Sequence, residues 1–265
     1  MANICSNTLT ISCDKKHKKE LQQFKTLALA RGIIKKKDLE AKKDEWLSTQ
    51  KEQYKKENRF ADWIKQSDMP AEKFFVEILF CTKEKNGNIN MGNSYLSMQN
   101  ILPCPIELLG VTSPVRAENG ENEQQFKDRV ARHKRIYGHE DWYSWKTAKW
   151  GCKWDINADL TFSTETSVQY MFDSPWTPPT AFIETASEKF PNLKFELEYD
   201  EPGCCFRGTA YAEGGDTTDT SENYEPTCND CGGEFDEKGE CPCEREHREN
   251  KEKQFKKTKS SVKNK

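Results

Sequence analysis

Hydrophobic residues recur along this chain with two different periods, and few folds accept the order in which those periods follow one another. Leu9, Ile11 and Cys13 alternate with polar residues near the N-terminus, the period-two pattern of a half-buried strand. Leu21, Phe24, Leu27 and Ala28 then recur at helical spacing, with Asp14 as N-cap carboxylate and Gly32 as the stop. Much later, Ala158, Leu160 and Phe162, followed by Val168, Tyr170 and Phe172, make two alternating runs parted by a few polar residues, a hairpin signal. Phe182, Ile183, Ala186 and Phe190 return to helical spacing after a proline pair, and Leu193, Phe195, Leu197 and Tyr199 alternate again. The series is strand, helix, strand, strand, helix, strand, with one more strand after Gly203. It predicts an α+β, ferredoxin-like split βαβ core with an antiparallel sheet.

The stretch between the first helix and the hairpin is of another character. Residues 33–73 are dominated by Lys, Glu and Gln, with Leu39, Trp46, Leu47 and Tyr54 on one helical stripe and Phe60, Trp63 and Ile64 on a second. The pattern predicts two inserted charged helices projecting from the core, either as a partner-binding surface or as a solvated face packed on its own domain. Lys83 to Asn93 reads as a loop broken by Gly87 and Gly92, and residues 94–101 as a strand halted by Pro103 and Pro105. A helix is expected from about Asn122 to Tyr137, with Phe126, Val130 and Ile136 on one side. Asp141 then caps a short aromatic helix that Gly151 ends.

Hydrophobic residues make up 34% of the 265 and charged residues 32%, a balance that fits solvated helices or disordered segments around a compact centre. A net charge of only -3 argues against whole-protein attraction to nucleic acid. The N-terminus shows no export signal and no stretch is apolar enough to span a membrane. The eleven cysteines are an odd number in a long chain, which favours reduced thiols and metal ligation over a disulfide scaffold.

Cys228, Cys231, Cys241 and Cys243 form a CxxC pair and a second, tighter CxC pair, the spacing by which thiolates wrap one tetrahedral ion, with His247 as an alternative fourth ligand. Zinc is the expected cofactor, and four protein ligands would close the site to water or substrate, making it structural. A redox dithiol and unligated cysteines are the competing readings. The other seven cysteines, Cys5, Cys13, Cys81, Cys104, Cys152, Cys204 and Cys205, read as packing residues. The expected layout is a core domain over 1–212, an acidic flexible linker over 213–227, a zinc knuckle over 228–247 and a basic tail over 248–265.

Several segments carry a resemblance. NTLTI near the N-terminus, ILPCPIEL at 101–108, YGHEDWYSWKTAKWGCKWD at 137–155, FDSPWTPP at 172–179 and YDEPGCCFRG at 199–208 resemble, in that order, the YubB ferredoxin-like domain family. The resemblance spans about residues 1–212. It implies the ferredoxin-like fold and a setting in bacteriophages, prophages or conjugative plasmids, hence the bacterial host cytoplasm. It implies no reaction and no catalytic residues, and neither the 33–73 segment nor the cysteine knuckle belongs to it.

Trp142, Trp145, Trp150, Trp154 and Trp176, with Lys153, Asp155 and Glu201, either line a cleft that stacks a base or a partner side chain, or seal a helix layer against the sheet with Lys153 and Asp155 outward on one strand face. No phosphate loop, nucleophile elbow or HExxH helix is present. Three function classes follow. The leading one is a non-catalytic phage or plasmid accessory protein that binds a host or viral macromolecule, for example as an inhibitor of a host defence system. The second is nucleic-acid binding through the knuckle, the basic tail and exposed tryptophans, and the third an enzyme using Asp155, Asp173 or Glu201.

Overall fold

A computed structural model describes residues 3–54, 69–79, 81–225, 227–228, 231–235, 241, 243–246 and 248. The first strand, β1 (Ile4–Ser12), turns Cys5, Asn7, Leu9 and Ile11 inward, all of them buried. After a short 3-10 turn comes α1 (Lys18–Ala28), whose Leu21, Phe24 and Ala28 reach the core. Its ends differ from the sequence expectation. The Asp14 carboxylate makes no cap bond, and the helix stops where Leu29 turns extended, three residues before Gly32.

A long excursion, residues 29–158, separates α1 from the next core strand. It is far larger than the expected 33–73 insertion and carries its own sheet of β2 (Ala30–Ile34), β3 (Thr82–Lys83) and β4 (Ile89–Ser94), in the antiparallel order β2, β4, β3. The span expected as a loop at 83–93 is thus largely a hairpin, and Gly32 lies inside β2 at a register irregularity. Between β2 and β3 lies α2 (Leu39–Tyr54). It does not project: Leu39 and Lys43 are buried, the Trp46 ring meets Phe74 edge-on at 5.1 Å, and Lys43 Nζ donates to the Met69 carbonyl at 2.9 Å. The stripe of Phe60, Trp63 and Ile64 lies outside the described residues. The strand expected at 94–101 is instead α3 (Met98–Ile101), because the Ser97 hydroxyl caps it by accepting from the Asn100 N–H.

After α4 (Ile106–Leu109) comes α5 (Glu123–Tyr137), spanning the expected helix and begun by a reciprocal capping box between Asn122 and Gln125. Its most buried side chain is His133, not Phe126, Val130 or Ile136. In α6 (Trp142–Trp150) the Asp141 carboxylate accepts from the Ser144 N–H. Gly151 ends that helix at φ 85, and a Cβ there would press to 3.0 Å on the Pro178 carbonyl oxygen.

The chain then completes the core with β5 (Asp159–Ser163), β6 (Ser167–Pro175), α7 (Thr180–Lys189), β7 (Lys194–Glu201) and β8 (Phe206–Glu213). The expected hairpin is β5–β6, although Leu160 and Phe162 are exposed, with a register shift between them. The strand order β7, β1, β6, β5 is the one a split βαβ unit requires, with every neighbour antiparallel. Both helices cover the same sheet face, and Phe24 of α1 stacks edge-on with Phe190 at 5.2 Å and Phe195 at 5.7 Å.

Beyond β8 the acidic run expected as a flexible linker is folded through residue 223. β9 (Asp216–Asp219) pairs with Ala210–Glu213, and β10 (Glu222–Asn223) with Phe206–Arg207. Gly214 and Gly215, at φ 62 and 94, make the two-residue turn that a tight hairpin demands, and the threonines that follow favour a strand.

His133 gives the fold a pH dependence. Its Nδ1 faces the Glu140 carbonyl at 3.3 Å, Glu107 Oε2 lies 3.9 Å from Nε2, and burial pushes the imidazole below its ordinary value, with the Arg132 and Arg129 guanidinium groups also opposing protonation. The unfolded chain, with a histidine value near about 6.5, binds this proton more readily, so the contribution is full above that pH and falls as the pH drops toward the lower folded value. Denaturation midpoints measured from about pH 7 down to about pH 5 should therefore decline, and His133→Gln should flatten the decline. An equally steep decline in the variant would remove His133 as its source.

Candidate functional site

The CxxC turn builds one half of the C-terminal cluster. The Cys228 N–H donates to the Gly233 carbonyl at 2.9 Å, the Gly232 N–H returns to the Cys228 carbonyl at 2.7 Å, and Thr227 bridges Glu234. The other half is a helical turn at 243–246, where the Arg245 N–H donates to the Cys241 carbonyl at 3.1 Å and the Glu244 N–H to Cys241 Sγ at 3.4 Å. These two pieces bring the sulfurs of Cys228, Cys231, Cys241 and Cys243 all within 4.8 Å of one another. The tight CxC pair points both sulfurs at the same centre, 2.9 Å apart, and Cys243 Sγ lies 3.7 Å from that of Cys228.

Tetrahedral thiolate ligation, with metal–sulfur bonds of about 2.3 Å, sets sulfurs about 3.8 Å apart, so this cluster fits a metal after small adjustments. Contacts with the Cys241, Cys231 and Cys228 sulfurs push the Cys243 thiol well above its ordinary value. A dication held by these four sulfurs would favour their thiolate forms. Cys228 and Cys241 are buried while Cys231 is exposed. His247 lies outside the described residues.

The remaining cysteines divide. Cys5, Cys104 and Cys152 are buried, and desolvation pushes their thiols up, Cys5 and Cys152 to about 12. Cys204 is exposed in the turn after β7 and is not a packing residue; its sulfur accepts from Asn3 Nδ2 at 3.4 Å.

The tryptophans expected in one cleft occupy three settings. Trp145 and Trp150 are buried and meet edge-on at 6.0 Å, and the Trp150 indole donates to the Leu102 carbonyl at 2.9 Å, tying the segment after α3 to α6. Trp142 and Trp150 flank Lys146, whose ammonium lies 5.4 and 4.7 Å from their ring centroids. Lys146 is only 1% exposed, and burial pulls its pKa down. Sequence reasoning passed over this residue, although its position four residues from each tryptophan on one helix was a usable signal. Trp154, with Lys153 Nζ 4.0 Å above its ring, is exposed and lines a cavity of about 490 Å³ together with Lys146 and Asp155. Trp176, also exposed, sits at φ 72 beside Asn3, whose carbonyl accepts from its N–H.

Two acidic residues have structural duties. Asp155 does not point outward from a strand: its carboxylate accepts from Ser97 Oγ at 2.6 Å, Met98 N at 2.7 Å and Ile156 N at 2.9 Å, fixing the start of α3. Burial raises its pKa, and these donors oppose the rise. Glu201 is fully buried and receives the Cys204 N–H, while its Oε1 has no hydrogen-bond partner. Asp173 lies on the opposite side of the sheet from the helices, accepting from Ser6 Oγ at 3.2 Å. The three carboxylates named for an enzyme thus sit in different environments: a cap, a turn and an open sheet face.

A family model described as the ferredoxin-like domain in Api92-like protein matches residues 149–241. Among solved structures, the crystal structure of a protein api92 from Yersinia pseudotuberculosis is similar, at 14% identity and a TM-score of 0.43, covering 86% of this chain and 100% of that one. No curated protein matches the chain.

The buried and the exposed tryptophans should separate in stability measurements. Trp150→Ala should cost about 3–5 kcal/mol, the loss of a buried ring and its hydrogen bond. Trp154→Ala, at a half-exposed position, should change the unfolding free energy by less than about 1 kcal/mol. Equal losses in the two variants would contradict this division.

Proposed function

We propose that this chain is a non-catalytic binding protein stabilised at its C-terminus by a structural zinc ion. The observation that carries the metal reading is the convergence of the four cysteine sulfurs within 4.8 Å. Zinc suits an all-thiolate tetrahedral set, and with every position taken by protein the ion would organise the knuckle without performing chemistry.

The binding reading draws on the carboxylates as well. Asp155 and Glu201, two of the candidate cleft residues, are committed to a cap and a turn. The resemblance to the YubB family over about residues 1–212 supplies the setting: an accessory protein of a phage or plasmid, acting in the host cytoplasm on a host or viral macromolecule, with inhibition of a host defence system as one form of that role. Among the described residues no helix is long and apolar enough to cross a membrane. Nucleic acid is the weaker partner, because the open face of the large sheet is lined mainly by carboxylates and hydroxyls. The basic run at 246–265, eight Lys or Arg against three Glu, would give weak, salt-sensitive contacts alone.

Protein purified under reducing conditions should hold about one zinc per chain, and Cys228→Ser and Cys241→Ser should each lose it. Absence of metal from the unaltered protein would overturn the zinc reading. Affinity purification from cells carrying the element should recover one host or viral protein in stoichiometric amount after residues 246–265 are removed. Salt-resistant, sequence-selective nucleic-acid binding by that truncated protein would instead establish a nucleic-acid reader.

A further inference from the structure

One face of the large sheet lies under α1 and α7, while no described residue forms a layer over the other. Strand alternation decides what that open face presents. On β7 it presents Glu196, Glu198 and Asp200 in succession, at steps of roughly 7 Å along the strand. The register sets Asp173 of β6 and Asp200 of β7 on either side of Ser6, roughly 10 Å apart across two strand spacings. Asp159 on β5 and Glu222 on β10 stand at opposite sides of the resulting trough, whose volume is about 1040 Å³.

Positive charge on this face is sparse and already engaged. Lys194 pairs with Glu213 at 3.6 Å and Arg207 with Glu222 at 2.7 Å, each directly across from its partner in the register. Among the described residues no cation pairs with Asp159, Asp173, Glu196 or Glu198. Like charges on neighbouring positions of a sheet disfavour folding, so sheet stability does not account for this pattern. A trough with walls of one sign focuses potential toward an incoming cation. The phenol of Tyr211 registers that potential: Glu196 and Glu198 push its pKa up. Met171 and Tyr211, 51% and 46% exposed, add apolar contact area on the same face.

We propose that the acidic face of the β6–β1–β7–β8 sheet is the docking surface for the partner, and that the partner presents a lysine- and arginine-rich protein surface. The proposal rests on the binding reading above and specifies its partner. Arginine guanidinium groups pair with such carboxylates in bidentate fashion, and apolar stems lie over Met171 and Tyr211. Four strands by eight residues offer on the order of 500 Å², less than the roughly 800 Å² per partner of a standard interface. Recognition is therefore driven by charge, fast in association and sensitive to salt. Nucleic acid is repelled from this face.

Fluorescein-labelled deca-lysine, titrated against the full zinc-loaded chain and followed by anisotropy, tests the surface directly. Asp173→Asn, Glu196→Gln and Glu198→Gln combined should weaken binding by about tenfold or more, whereas Glu123→Gln, Asp128→Asn and Glu184→Gln, the same charge change at exposed helix positions, should alter it less than about twofold. Equal weakening in both triple variants would show a response to net charge alone and overturn the proposal, as would absence of binding. Removal of residues 249–265 should leave the affinity within about twofold. A rise of about tenfold would identify the chain's own basic segment as the occupant and overturn the proposal of a foreign partner. Zinc content and denaturation midpoint, measured on each variant, report on the zinc reading and on folding separately from docking.

Discussion

Hydrogen bonding along both edges of β1 organises this protein. The strand pairs with β6 from Ile4 to Ser12 and with β7 from Ser6 to Ser12, so Leu9 has Tyr170 on one side and Leu197 on the other. A one-residue slip against either neighbour would expose Cys5, Leu9 and Ile11 and bury the hydroxyl-bearing residues between them. Because the N-terminal strand is enclosed by strands from the last third of the core, the intervening chain must leave and return without disturbing the register. Everything between α1 and β5 is therefore an elaboration fastened to a finished frame.

Within that elaboration, order relies on polar groups placed where water is scarce. Asp155 closes the excursion by accepting from Ser97 and Met98, and Trp150 ties Leu102 to α6 with a single indole hydrogen bond. Lys146 is held between Trp142 and Trp150, whose ring faces attract an ammonium that burial otherwise disfavours. Buried carboxylate, ammonium and indole groups are costly when unpartnered, so the match among them specifies one way of folding the excursion on itself.

The sequence discloses the parts of the fold that local chemistry governs. The helix from about Asn122 to Tyr137, the Asp141 cap, the Gly151 stop and the alternation of β7 all stand where spacing and residue type place them. Tertiary context decides what it hides. β3 and β4 are short and polar, with Lys83, Asn90 and Asn93 in place of an apolar alternation, so they read as loop, while β2 lies where a helix stop at Gly32 and a charged helical segment are expected. β9 was masked by acidic composition even though Gly214–Gly215 is a hairpin turn signal. The cysteine spacing leads directly to a cluster of four sulfurs, whereas the inward turn of Asp155 depends on Ser97, 58 positions away, which no local pattern reveals.

The knuckle begins only a few residues after β10, yet the two parts rest on different forces. The core is held by apolar burial and ladder hydrogen bonds. The knuckle has few apolar residues to bury, and by this account it depends on metal binding. Amide hydrogen exchange before and after zinc chelation examines that separation most directly. Chelation should strip protection from residues 228–248 while the amides of β1, β6 and β7 keep theirs. Loss of protection along β1 on chelation would contradict the account, because it would make the metal a support of the core instead of an appendage to it.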